Sequence, residues 1–214
     1  MAGSAFTLKR LDLLEQVLCT VLMGSLVYRL WPEDFSNLAL YPILLLISEG
    51  IVVGFIIFRR RTENISIRFT DWIIAFAGTF FSLLVVPGEG TAEGASELRA
   101  IALRLSAFLL IAGLSIHLGA KLSLRRSFGL VAADRGIKAG GLYKRVRHPM
   151  YLGYMMSHVG YLIFAPVPWN FAVYGLSWVF LIARIFAEER ILSLNPEYQT
   201  YMEEVPYRLI PKVF

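Results

Sequence analysis

The stretch PMYLGYMMSHVGYLIFAPVPWNFAVYGLSWVFLIARIFAEER, Pro149 to Arg190, decides the fold. Two apolar runs, Pro149–Ala165 and Trp169–Ala187, are joined by Pro166-Val167-Pro168. Neither Pro166 nor Pro168 can continue a helix, so the turn falls there and the pair reads as a tight helical hairpin. Its ends are polar. Arg147-His148-Pro149-Met150-Tyr151-Leu152-Gly153 opens it and Glu188-Glu189-Arg190 closes it. Ionisable groups at the rim of a membrane hairpin are costly and mark function by default, and a small polar ligand answers to that chemistry.

Outward from the hairpin, Leu11–Leu30, Asn37–Phe58, Phe69–Pro87 and Arg99–Leu122 come near the length of about 20 helical residues that a hydrocarbon core requires. The expectation is an all-α polytopic membrane bundle of about six transmembrane helices. In it, residues 1–122 form spans 1–4, a scaffold and acceptor-binding region. Residues 123–214 form the cofactor-binding catalytic region, with the hairpin, a cytoplasmic loop and a tail. Composition agrees: 57% of the 214 residues are hydrophobic and 17% charged. A soluble domain has too little interior for so much apolar surface, and the mean hydropathy is +0.60.

A net charge of +5 is compatible with nucleic acid in principle, but the charges fall in the gaps between apolar runs, which excludes that partner. Cys19, the single cysteine, excludes an internal disulfide and a cysteine-only metal cage, and no metal site is read. Met1–Lys9 lacks the pattern of a removable signal, so the first span is expected to persist. Lys9 and Arg10, then Arg59, Arg60, Arg61 and Arg68, then Lys121 through Arg147, then Arg190, Arg208 and Lys212 alternate with acidic or uncharged connections. Glu33, Asp34, Glu89, Glu93 and Glu97 lie in those connections. Both termini are therefore expected in the cytoplasm, of a bacterial inner membrane or the endoplasmic reticulum. The sequon Asn64-Ile65-Ser66 then stays unmodified, and Gly88 to Gly94 reads as a flexible outward loop. Arg104, near the outer face, is read as snorkelling.

The basic connection from Lys121 to His148 contains Gly129, Gly136, Gly140 and Gly141, which let a backbone approach a ligand. His148, Tyr151, Met155 and His158 recur at helical spacing on one face of span 5. Pro149 suits the first helical turn, leaving Arg147 and His148 beside exposed N–H groups that could take a carboxylate. Arg184 and Glu188 are four apart and can pair, while Glu189 projects about 100° away from Glu188. Glu49, within span 2, and His158 both lie roughly 13 Å from the cytoplasmic boundary at helical rise, so they could meet.

These residues resemble the isoprenylcysteine carboxyl methyltransferase and phospholipid methyltransferase family of integral membrane enzymes. Gly140 through Gly153 is similar to that family's loop and Arg-His-Pro-x-Tyr-x-Gly motif, and Glu188-Glu189-Arg190-Ile191-Leu192 to its paired-glutamate motif. Tyr198, Tyr201 and Pro211 match its tail pattern. The resemblance runs from about Leu130 to the end, and departs at Gly141-Leu142, where many members have Gly-Pro. It implies S-adenosylmethionine as cofactor, with loop contacts from Gly141, Leu142 and Tyr143, and His148, Tyr151 and Glu189 holding the methionine end. The implied reaction is in-line methyl transfer to a lipid-like acceptor entering between helices, a prenylcysteine-type carboxylate above others. Arg184, which can pair with Glu188, would then orient that carboxylate, and both are candidate catalytic residues. An amine acceptor, as in phospholipid N-methylation, needs a base, for which Glu49 and His158 are candidates. No obligate protein partner is evident. Val205 to Phe214 also resembles the tail of membrane sterol reductases, which use NADPH, and that is the enzymatic alternative. A transporter half would carry an inverted repeat, and none is read.

Overall fold

The computed structural model describes residues 2–33, 40–88 and 96–214, with side chains from Thr7 onward in the first segment. Asp34, Glu89 and Glu93, and with them most of the Gly88–Gly94 loop, lie outside the described residues. Seven α-helices occur among those described: α1 (Ala2–Leu30), α2 (Leu40–Ile57), α3 (Phe69–Phe80), α4 (Glu97–Leu124), α5 (Pro149–Phe164), α6 (Pro168–Leu192) and α7 (Pro196–Glu204). α3 runs on into a tighter turn at Phe81–Leu84.

The fold is a polytopic helical membrane protein, with four helices among the described residues long and apolar enough to cross a bilayer: α1 from Thr7, α2, α4 and α6. The expected six divide into these four and two shorter ones. α5 has 16 residues, about 24 Å at helical rise against a hydrocarbon core of about 30 Å. Pro149 sets one end and the turn before Pro168 the other. Large apolar side chains face outward, Val21 at 62% exposure and Phe108 at 65%, as lipid solvation requires.

The hairpin turn forms where the prolines put it, but its two helices part company. α5 packs chiefly on α4 and α6 on α3. The reason is a stripe of small residues. A Cβ on Gly153 would lie 2.6 Å from the His117 backbone nitrogen and 2.7 Å from the Gly113 carbonyl oxygen, so only glycine lets the α4 and α5 backbones meet. Ser106 adds a 2.7 Å hydrogen bond to the Gly160 carbonyl. Between α5 and α6 stand bulky rings: His158 stacks on Tyr174 at 4.1 Å, and Trp178 Nε1 donates to His158 Nδ1 at 3.1 Å.

Contacts join the start of α1, the connections at 58–68 and 125–148 and the tail from Ser193 at one basic end. A buried quartet ties that end together. Arg59 and Arg135 share Asp12 and Glu15, with Arg59 to Asp12 at 2.8 Å and Arg135 to the same oxygen at 2.7 Å. Glu15 also accepts the backbone N–H groups of Leu130 and Val131, at 2.9 and 3.2 Å. Arg59 and Arg135, read as loop charges, are thus internal staples. Lys121 is a second correction. Its side chain is wholly buried and donates to Glu49 at 2.7 Å, deep between α2 and α4, so it is no flanking charge. At the opposite end Arg99 donates to the carbonyls of Ile163 and Phe164, both at 2.8 Å.

Candidate active site

Pro149 occupies the first turn of α5 as expected, and His148 precedes it with φ −127°. The N–H groups of Arg147 and His148 are taken by the tail, donating to Tyr207 and Arg208 carbonyls at 2.9 and 2.8 Å. The Arg147 guanidinium donates to Glu189 at 2.8 Å and to the carbonyls of Val205 and Pro206. The anion site expected at Arg147 is therefore filled from within the chain. Glu189 is clamped three ways: by Arg147, by His148 Nε2 at 3.1 Å and by Arg208 at 2.9 Å.

Glu188, on a different face of α6, accepts from the Tyr151 hydroxyl and from Arg184 Nε at 3.0 Å. The i,i+4 pairing of Arg184 with Glu188 is thus present. Arg184 also donates to Thr79 Oγ1 at 3.0 Å and the Gly129 carbonyl at 3.3 Å, and its guanidinium lies 5.4 Å from the Tyr151 ring centre.

Two cavities meet this network. The first, about 100 Å³, opens at the basic end and is lined by Tyr143, His148, Tyr151, Glu188, Tyr198 and Tyr201, with Val131, Ala132 and Ile137 as apolar wall. The imidazole of His148 stacks on Tyr151 at 5.6 Å. The Tyr201 hydroxyl donates to the Tyr143 carbonyl at 2.7 Å. Burial pushes the Tyr143 phenol well above its usual range and Tyr201 up to about 12, so both are neutral walls at physiological pH. The Tyr198 hydroxyl is buried with no hydrogen-bond partner among the described residues.

The second cavity, about 330 Å³, lies in the bundle interior among α1, α2, α3, α4, α5 and α6. Its lining is largely apolar, interrupted by Glu49, His117, Tyr154, Ser157, His158 and Arg184. Met150 lines both cavities. Arg184 lines the inner one, while its partner Glu188 and Tyr151 line the outer one.

The structure thus gathers Tyr143, His148, Tyr151 and Glu188 at the outer cavity, and Arg184, Glu49 and His158 at the inner one. Gly141 and Leu142 stand back from both. Gly141, at φ +61°, makes the turn that presents Tyr143, and a Cβ there would meet Ser123 Oγ at 3.0 Å. Sequence reasoning passed over His117 and the quartet acids Asp12 and Glu15. The available signal was spacing: Asp12 and Glu15 are three apart in an apolar span, and His117 and Lys121 four apart.

This arrangement defines a class: a polytopic helical membrane protein with a polar cavity at its basic end, backed by an apolar cavity inside the bundle. Residues 100–199 match the family model described as phospholipid methyltransferase, so the family resemblance carried by the two motifs holds for that region. Methanethiol S-methyltransferase of a Pseudomonas species is 32% identical over 82 residues, covering 35% of this chain and 28% of that protein. The match therefore spans less than a third of that relative's length.

Proposed function

We propose that this protein is an integral membrane methyltransferase that uses S-adenosylmethionine and methylates the head of a lipophilic acceptor. The observation that carries this reading is the back-to-back pair of cavities, divided by Met150 and bridged by the Tyr151–Glu188–Arg184 network. The outer cavity suits a zwitterionic nucleoside amino acid. Glu188 offers a carboxylate for an ammonium, Lys138 a cation for a carboxylate, Tyr198 a hydroxyl that lacks a partner, and Val131, Ala132 and Ile137 an apolar bed for a base. When bound, S-adenosylmethionine supplies a methyl carbon on a sulfonium, open to in-line displacement.

The chain's own task is alignment and exclusion of water. Tyr151 and Arg184 hold Glu188 toward the outer cavity, while Met150 and the apolar lining keep the inner one dry. Glu189, saturated by Arg147, His148 and Arg208, braces the motif against the tail. The basic end faces the cytoplasm in this reading, by the excess of arginine and lysine there, so both termini are cytoplasmic. The cofactor then arrives from the cytosol and the acceptor from the bilayer.

Among acceptors, a prenylcysteine-type carboxylate needs only a cation to orient it, and Arg184 stands on the inner wall. A phospholipid amine or a thiol also needs a proton acceptor, and the same wall holds His117. The thiol has a precedent in the name of the Pseudomonas relative. NADPH, the reductase alternative, calls for cations around its 2′-phosphate. Of those lining the outer cavity, Arg135 is held by Asp12 and Glu15 and Arg147 by Glu189, leaving Lys138. The test is transfer of labelled methyl from S-adenosylmethionine into an organic-extractable product by the detergent-purified protein. Label in lipid-like acceptors supports the reading; NADPH oxidation with no label transfer overturns it.

A further inference from the structure

His117 is 3% exposed and lines the inner cavity, and its Nδ1 has no hydrogen-bond partner among the described residues. Ser157 Oγ, on the facing helix α5, is likewise buried without a partner and lines the same cavity. Buried polar atoms are nearly always satisfied, so two orphans on one wall point to a ligand that supplies their partners. The three other charged or imidazole groups there are already engaged. Glu49 is paired with Lys121, His158 Nδ1 accepts from Trp178, and Arg184 is bonded to Glu188, Thr79 and Gly129.

Charge adds a second constraint. The cation lining this cavity, Arg184, is matched by Glu188, and the carboxylate lining it, Glu49, is matched by Lys121 from α4. An anionic head group would enter a low-dielectric site with no unmatched cation to compensate it, whereas a neutral protic head fits the balance. Such a head donates to His117 Nδ1, which is the acceptor nitrogen in the Nε2–H tautomer, and accepts from the Ser157 hydroxyl.

We propose that His117 is the catalytic proton acceptor for a protic nucleophile, an amine or thiol borne on an apolar chain, bound in the inner cavity. The inference rests on the methyltransferase reading and deepens it. The nucleophile's proton passes to Nδ1 as its electron pair forms the new bond to the methyl carbon. The old carbon–sulfur bond breaks with its pair left on sulfur, which becomes a neutral thioether. The titratable groups facing His117 are Lys121 on its own helix, Tyr154, His158 and Tyr161 on α5, Tyr41 and Glu49 on α2, and Tyr174 and Arg184 on α6.

The experiment compares wild type with His117→Asn, which keeps a hydrogen-bonding group near Nδ1 without its basicity. The acceptors are a long-chain alkylthiol, a long-chain alkylamine, an arenethiol already ionised at the assay pH, and a prenylthio-carboxylate. Retained thermal stabilisation by S-adenosylhomocysteine reports that the variant is folded. The expected result is a fall of about 10²–10⁴-fold in kcat/KM for the alkylthiol or the amine, with the arenethiol rate largely kept. The variant's alkylthiol or amine rate should also climb with pH as the acceptor ionises on its own. Equal loss on all acceptors, or no loss on any, overturns the role of His117. Should the variant fail to fold, wild type decides by preference: turnover of thiol or amine over carboxylate supports the inference, and carboxylate alone overturns it. Binding of S-adenosylhomocysteine with turnover of carboxylate alone sinks the inference and leaves the methyltransferase reading standing; binding of neither sulfur compound sinks the reading itself.

Discussion

Replacing Glu15 by alanine should damage the outer cavity from a distance. Glu15 has no solvent exposure and receives Arg59, Arg135 and the N–H groups of Leu130 and Val131. Its removal leaves two buried guanidinium groups to share Asp12 and strips two buried amides of their acceptor. Breaking one partner out of a buried ion network costs about 3–5 kcal/mol, because the remaining charge stays desolvated. At roughly 2–4 °C per kcal/mol for a chain of this size, the apparent Tm should fall by about 6–20 °C. Differential scanning fluorimetry in one detergent at one scan rate reads this directly. Glu15→Gln keeps an amide oxygen for the Leu130 and Val131 N–H groups and should lose less. The double change Glu15→Leu with Arg59→Met removes charge from both sides and should recover part of the loss. Because Val131, Ala132 and Arg135 line the cavity, affinity for S-adenosylhomocysteine should fall alongside stability. A Glu15→Ala protein melting within about 2 °C of wild type, with unchanged affinity, would refute the view of the quartet as the anchor of the loop.

Tyr151→Phe removes the hydroxyl that holds Glu188, a hydrogen bond to a charge worth about 1.5–3 kcal/mol, so the Kd for S-adenosylhomocysteine should rise about tenfold or more by calorimetry. Gly153→Ala forces a methyl against α4, 2.6 Å from the His117 nitrogen, and should cost about 1–3 kcal/mol in thermal stability. Gly175→Ala, with nothing within 4 Å of its added carbon, is the matched control and should be neutral or mildly stabilising. Tyr201 ionises at about 12 when folded and near the ordinary 10 when unfolded, so between those values the folded state holds more protons. Stability should therefore fall as pH rises through that window, and Tyr201→Phe should flatten the fall in a pH series of melts.

Legibility in the sequence followed the range of the interaction. The proline-bounded turn, the Arg184–Glu188 pair and the grouping of His148 with Tyr151 are local, set by spacings of three and four, and the structure has them. Which helix packs on which was not local. Gly153 belongs to a motif in sequence, but its neighbour is Gly113, and only the folded backbone shows why no side chain fits there. Lys121 sits beside a basic loop and was counted with it, although its partner Glu49 lies 72 positions away. Arg59 and Arg135 were read as loop charges for the same reason. His117 drew no notice because a lone histidine in an apolar run has no signature until its nitrogen is found unpartnered beside a cavity. Glu188 and Glu189 were legible as a pair, while their division of labour depends on Arg147 and Arg208 arriving from elsewhere in the chain.

The most direct test of the central claim is a calorimetric titration of the detergent-purified protein with S-adenosylhomocysteine, repeated on Glu188→Ala and followed by NADPH. The two-cavity account predicts one site for the sulfur compound on wild type, binding lost or weakened at least tenfold in Glu188→Ala, and no heat with NADPH. Saturable binding of NADPH with none of S-adenosylhomocysteine, or equal affinity in the Glu188→Ala protein, would contradict it.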